Sequence, residues 1–168
     1  MWYVVQVRSG TEHNIRIQCN KKIPDAIIER CFIPYYEEKK KQNGTWNTLQ
    51  KVLFPGYIFM ITEDVEKLFF HLKTIEGMTK LIGTGQDIIP LKEEEITFLK
   101  RFGGEEQIVS MSEGIIEGTQ VIITSGPLMG MEGLIQKIDR HKRKAWLDLE
   151  LFGRMQQVEV GLEITRKV

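Results

Sequence analysis

Three adjacent carboxylates, Glu93, Glu94 and Glu95, and two thiols, Cys19 and Cys31, are residue types from which acid–base, metal or redox chemistry could be built. Their spacing supports none of it. The carboxylates open a helical segment, where they complement the positive end of the helix dipole and stay solvated. The cysteines lie outside any CxxC unit and lack a paired histidine, so neither a structural zinc site nor a disulfide framework is signalled. There is no GxSxG, no HExxH and no phosphate-binding loop, and Gly83-Thr84-Gly85 is too short for a dinucleotide fingerprint. The expectation is a protein that binds rather than catalyses, with no catalytic residue, no metal and no cofactor.

Charge offers chemistry of another kind. Lys plus Arg equals Asp plus Glu at 23 each, so the net charge of zero selects no partner and any polyanion must meet a local patch. Between Arg8 and Lys51 nine Lys or Arg stand against five acids. That excess, carried by a first helix and by Lys39-Lys40-Lys41, is the candidate nucleic-acid surface. No run of about 18 apolar residues occurs and no secretory signal opens the chain, so a cytoplasmic protein without membrane contact is expected.

The elements that must position these residues are legible in outline. WYVVQVR (2–8) reads as a strand, and Ser9-Gly10-Thr11 supplies turn and capping chemistry for a helix over about 11–22. In that helix Ile15 and Cys19 share one face, while Asn14, Gln18, Lys21 and Lys22 follow helical spacing along another. RCFIPYY (30–36) reads as a second strand, and Asn43-Gly44 between strand-like flanks signals a hairpin. The returning strand is expected from Thr48 to Ile61, despite Pro55-Gly56 in its middle. Val65, Leu68, Phe69 and Leu72 give a helix capped by Thr62, on which Lys67 and His71 share a polar face. MTKLIG (78–83) reads as a fourth strand and Leu91–Phe102 as a further helix. The Gly-rich stretch 103–114 reads as a linker, and the short strand-like runs beyond it suit a small barrel. The expected fold class is α+β, an antiparallel sheet flanked by helices followed by a small β-barrel.

WYVVQVRSG, LFPGY at 53–57, GMTKLIG, GTQVIITSGPLMGMEGLIQKID and the LFGR tetrapeptide together resemble the NusG family of transcription elongation factors, over nearly the whole chain. The resemblance implies an NGN domain over 1–102, a linker over 103–114 and a KOW domain, an SH3-like barrel, over 115–168. It implies a monomer that docks on the clamp helices of RNA polymerase through positions matching Trp2, Tyr3, Phe54, Pro55, Gly56 and Tyr57. The Pro-Gly break is expected to turn the strand and leave the Phe54 and Tyr57 rings on a concave surface. Phe152, Gly153 and Arg154 match the KOW element that seizes a further partner, NusE or Rho in general members of the family, and a loop position favours an exposed Phe152 ring.

Within the family, the polar α-helical stripe and the basic hairpin resemble specialised antitermination paralogs of the LoaP type, which read a structured RNA hairpin; others read the non-template DNA strand. That resemblance implies nucleic-acid contacts at Arg8, Asn14, Gln18, Lys21, Lys22, Lys39, Lys40, Lys41, Lys67, His71 and Lys73. Alternatives are a general housekeeping NusG factor and, from another class, a ribosome-associated KOW RNA-binding protein.

Overall fold

The computed structural model describes residues 1–77 and 88–168. In chain order the elements are β1 (Trp2–Gln6), α1 (Glu12–Lys22), β2 (Arg30–Phe32), β3 (Tyr35–Gln42), β4 (Thr45–Val52), β5 (Tyr57–Ile61) and α2 (Val65–Leu72). There follow β6 (Ile88–Pro90), α3 (Glu93–Gly103), β7 (Ile108–Val109), β8 (Ser112–Glu117), β9 (Gln120–Ser125), β10 (Ile135–Asp139), β11 (Lys144–Leu151) and β12 (Arg154–Lys167). They sort into two compact units, 1–33 with 54–96, and 34–53 with 97–168.

The first unit is built on a four-stranded sheet of order β2-β5-β1-β6, every pair antiparallel. Val4 and Val5 on β1, and Ile58, Phe59 and Met60 on β5, are all fully buried. Successive strand residues point to opposite faces, so the centre of this sheet is covered on both. Ile15 and Cys19 of α1 and Leu68 and Leu72 of α2 are buried as the helical spacing requires. Both cysteines are free thiols, Cys19 buried and Cys31 half-buried.

The second unit contains a five-stranded sheet of order β10-β11-β12-β8-β9 and a three-stranded sheet of order β4-β3-β7. β3 and β4 form the expected hairpin, with Asn43 and Gly44 at φ 51 and 79 between the paired Gln42 and Thr45. Two positive-φ residues make this a type I′ turn, whose twist matches that of the strands. At the other end of the hairpin the Leu53 N–H donates to the Pro34 carbonyl at 2.9 Å. β12 carries a register shift against β8, and β10 one against β11.

Several sequence expectations are corrected. RCFIPYY is not one strand: it divides into β2 and β3, because Pro34 lacks the N–H that would continue the ladder. Thr48 to Ile61 likewise divides into β4 and β5, which belong to different sheets. The cap of α2 is Asp64, whose side chain accepts the Lys67 N–H at 3.1 Å, and not Thr62. Thr62 is instead buried and bonds the Ile27 carbonyl and the Asp64 N–H. The expected strand over 78–83 lies outside the described residues.

Candidate binding surfaces

The break in VLFPGYIF is a complete turn. Tyr57 N–H donates to the Phe54 carbonyl at 3.2 Å, Pro55 takes the second position, and Gly56 the third with φ 88. Proline before a positive-φ glycine is the signature of a type II turn. Gly56 is then held from three sides. Its carbonyl accepts the Val7 N–H at 2.7 Å, its N–H donates to Glu12 Oε2 at 3.1 Å, and a Cβ there would meet the Val7 carbonyl oxygen at 3.3 Å. Glu12 Oε1 accepts the Gly10 N–H at 2.6 Å, so one buried carboxylate at the start of α1 satisfies two glycine turns. Sequence reading missed Glu12, which entered only the count of acids between Arg8 and Lys51.

The rings beside this turn are not where the sequence suggested. Phe54 is 1% exposed and Tyr57 is 5% exposed, which overturns the expectation of two aromatic faces open to a partner. Phe54 packs on Phe59 with ring centroids 5.7 Å apart, and burial of such a ring stabilises by about 2–3 kcal/mol. Pro55 is exposed, and Trp2 and Tyr3 are half-exposed. Trp2 meets Phe32 edge to face at 5.2 Å, and Phe32 stacks on Phe59 at 5.4 Å. An aromatic row thus backs the first strand.

Phe152 is also corrected, at 4% exposed. Phe152 and Gly153, with φ 58 and 77, form a second two-residue turn between the paired Leu151 and Arg154. The general tendency of loops to be solvated fails here because a two-residue turn is short and a Phe ring gains by leaving water. Gly153 and Arg154 are exposed.

On α1 the polar stripe forms a ladder. Gln18 Nε2 donates to Asn14 Oδ1 at 2.8 Å, and Lys22 Nζ donates to Gln18 Oε1 at 3.3 Å. Gln18 also donates to the Glu76 carbonyl and accepts the Glu76 N–H at 3.1 Å, tying the segment after α2 to α1. Gln18 is therefore a positioning residue, while Asn14, Lys21 and Lys22 are exposed. Arg8 is exposed beside the turn into α1, where its carbonyl accepts both the N–H and the hydroxyl of Thr11. Lys67 is exposed with its ammonium 3.7 Å from Asp64, His71 is half-buried against Phe70, and Lys73 lies 4.7 Å over the Phe69 ring.

The basic hairpin is partly committed elsewhere. Lys40 and Lys41 are exposed, but Lys39 is paired with Glu163 at 3.0 Å. Next to it Glu38 is buried between Lys144 at 2.8 Å and Lys51 at 3.1 Å, and Lys144 also reaches Glu159 at 3.3 Å. Tyr36 donates to the same Glu159 at 2.9 Å. Burial pulls the Glu38 carboxyl upward, yet the bonds from Lys144 and Lys51 outweigh it and hold it below the ordinary range. Glu159 is shifted down in the same way, desolvation being overcome by Tyr36, Lys144 and Trp146, and Lys144 is raised against its own desolvation by the two carboxylates. Tyr36 is pushed up by burial first and by the Glu159 carboxylate second. β12 passes close to this hairpin at Gly161, where a Cβ would fall 2.5 Å from the Glu37 carbonyl oxygen.

No group of three or more His, Cys, Asp or Glu side chains that could hold a metal exists among the described residues. Nor, among them, is any helix long and apolar enough to cross a membrane. A family model described as transcription termination factor nusG matches residues 1–100, and a second, described as KOW motif, matches residues 117–150. The chain belongs to the NusG family.

Relatives match along nearly its full length. The transcription termination/antitermination protein NusG of Staphylococcus aureus (strain Mu50 / ATCC 700699) is 30% identical over 175 residues, covering 99% of this chain and 95% of its own. The protein of the same name from Staphylococcus carnosus (strain TM300) is 29% identical at the same coverage. A solved structure described as domain interaction in Thermotoga maritima NusG superposes with a TM-score of 0.59, covering 95% of this chain and 92% of that one at 23% identity. The fold is the α+β arrangement of the NusG family, an NGN part followed by a KOW part. The chain is a NusG-like transcription termination/antitermination factor.

Proposed function

We propose that this chain is a specialised member of the family, of the LoaP type, that promotes processive antitermination by binding RNA polymerase and a structured leader RNA. The NGN domain spans 1–102, a linker 103–114 and the KOW domain 115–168. The observation that carries the RNA reading is the α1 ladder: Asn14, Gln18 and Lys22 are pre-ordered by their own hydrogen bonds, with Lys21 beside them in solvent. Side chains already held in place lose less freedom on binding, and structured RNA is read largely through phosphate and shape contacts from several cations on one surface. Arg8, Lys67, His71 and Lys73 extend the set on the same unit, and Lys39, Lys40 and Lys41 supply the hairpin's share.

Polymerase docking is assigned to the turn at 54–57 and to β1. Pro55, Trp2 and Tyr3 offer surface to the clamp helices, while Phe54, Gly56 and Tyr57 set the turn from beneath. The KOW partner, NusE or Rho, meets the Phe152-Gly153-Arg154 turn. A test uses labelled leader RNA, the corresponding DNA strand and the purified protein, with Lys21→Glu/Lys22→Glu as the variant. The expected result is RNA binding that the variant weakens at least tenfold and that salt weakens steeply. Equal affinity of wild type and variant would sink the α1 surface.

The full-length likeness to the Staphylococcus proteins favours a second reading, a general NusG factor. Polymerase-association profiling across the genome separates the two, since a general factor travels with most genes and a specialised one with few.

A further inference from the structure

Five basic side chains follow one another at 140–144, Arg140-His141-Lys142-Arg143-Lys144, and four of them form the turn between β10 and β11. The turn is closed by Asp139, which pairs with Lys144 across the ladder and accepts the Lys142 N–H at 2.9 Å. Arg143 sits in it with φ 55, a left-handed backbone that bulky residues seldom adopt. Its carbonyl accepts the Leu162 N–H at 3.0 Å, which fixes the conformation.

What the strained position delivers is the side chain. The Arg143 guanidinium lies 3.7 Å from the centroid of the Trp46 ring and 3.4 Å from Glu163, whose other oxygen holds Lys39. Lys41 faces Trp46 directly across the β3–β4 ladder. The basic turn and the basic hairpin therefore end in one surface. On it, Lys39, Arg143 and Lys144 are neutralised by Glu163, Glu38 and Glu159. Lys40, Lys41, Arg140 and Lys142 are exposed and have no ion-pair partner among the described residues, and Trp46 keeps 38% of its surface in water although Arg143 covers part of it.

Four exposed cations outside ion pairs, on the same turn and hairpin as a part-exposed indole, suit a ligand with phosphates at intervals and a flat base to stack. An acidic peptide would use the cations and leave the ring idle. We propose that the β10–β11 turn and the end of the β3–β4 hairpin form one surface for single-stranded nucleic acid. Arg140, Lys142, Lys40 and Lys41 meet phosphates, and the Arg143–Trp46 stack is the platform for a base. The inference rests on the RNA reading above and extends it to unpaired nucleotides beside the structured element.

The test uses the full chain and a labelled oligouridine of about 12 nucleotides, a length that falls within common single-strand site sizes. Four phosphate contacts give a log–log salt slope of about −3, and Arg140→Glu/Lys142→Glu should weaken binding at least tenfold and flatten that slope by about 1.4. Arg143→Gly suits the positive φ better than arginine does, so it removes the stack without disturbing the turn. It is expected to lose the tryptophan quenching that oligouridine causes in the wild type. Unchanged affinity in Arg140→Glu/Lys142→Glu, together with loss in Lys21→Glu/Lys22→Glu, would confine RNA to α1, overturning this surface and leaving the wider reading intact. Failure of the wild type to bind oligouridine at low salt overturns it as well, as does equal binding of a polyglutamate peptide; failure on structured leader RNA too would remove the proposed function itself.

Discussion

Glu12 and Gly56 stand 44 residues apart in sequence and are joined by a 3.1 Å hydrogen bond, the glycine N–H donating to the carboxylate. The second carboxylate oxygen takes the Gly10 N–H, so the entry to α1 and the Phe54–Tyr57 turn are set by one side chain. The position of the candidate polymerase surface is thus fixed from the helix that carries the candidate RNA surface.

Removing that carboxylate leaves a buried glycine donor without a partner. Glu12→Ala should cost about 2–4 kcal/mol, combining a lost charge-assisted bond with an unsatisfied N–H, and Glu12→Gln distinctly less. Urea unfolding gives the cost, and clamp-helix binding by each variant gives its reach into docking.

Gly56→Ala places a methyl group at φ 88 and 3.3 Å from the Val7 carbonyl oxygen. A left-handed alanine costs about 1–2 kcal/mol before any contact is counted. A fall in the thermal midpoint with a parallel loss of clamp-helix affinity is expected; an unchanged midpoint would show that the turn is not held in this conformation.

The Glu38–Lys144 pair is nearly out of water on both sides. Lys144→Ala leaves the carboxylate to Lys51 alone, and loss of one member of such a pair costs about 3 kcal/mol. Gly161→Ala, which drives a Cβ toward the Glu37 carbonyl, should loosen the same hairpin without touching a charge. Hydrogen exchange of the β3 and β4 amides reads both variants, with faster exchange expected in each.

The same network predicts a pH profile. Glu38 and Glu159 are shifted down on folding, so their contribution is full above the ordinary carboxylate value of about 4.3 and is lost as pH falls through the lower folded value. Lys144 is shifted up, so its contribution is full below about 10.4 and is lost at higher pH. The contribution of this network should be constant between about pH 5 and pH 10, and the wild type's advantage over Glu38→Gln in urea should shrink toward zero in acid.

What could be read from the sequence was mostly local. Asn43-Gly44 dictates its turn, the α1 stripe follows from helical spacing, and the strands beyond residue 114 stand where β-branched runs place them. What could not be read depends on distant partners. VLFPGYIF and RCFIPYY read as continuous because apolar residues run through them, although Pro55-Gly56 and Pro34 mark the breaks; which sheet each half joins is decided by the tertiary fold. The burial of Phe54, Tyr57 and Phe152 is invisible for the same reason, since a turn residue is exposed only if nothing covers it. Glu12 was unreadable because a first-turn acid looks alike whether it faces water or two glycine N–H groups. The 140–144 run was passed over in the sequence, because its meaning comes from Trp46, almost a hundred residues earlier.

The bond between Leu53 N–H and the Pro34 carbonyl makes the stretch between them a closed cassette. Its two ends are held side by side, but its strands are tied to β7, β11 and β12 through the β3–β7 ladder and the Glu38–Lys144 and Lys39–Glu163 pairs. A graft of residues 35–52 therefore moves Glu38 and Lys39 away from Lys144 and Glu163, and holds its shape only if those two partners are carried with it.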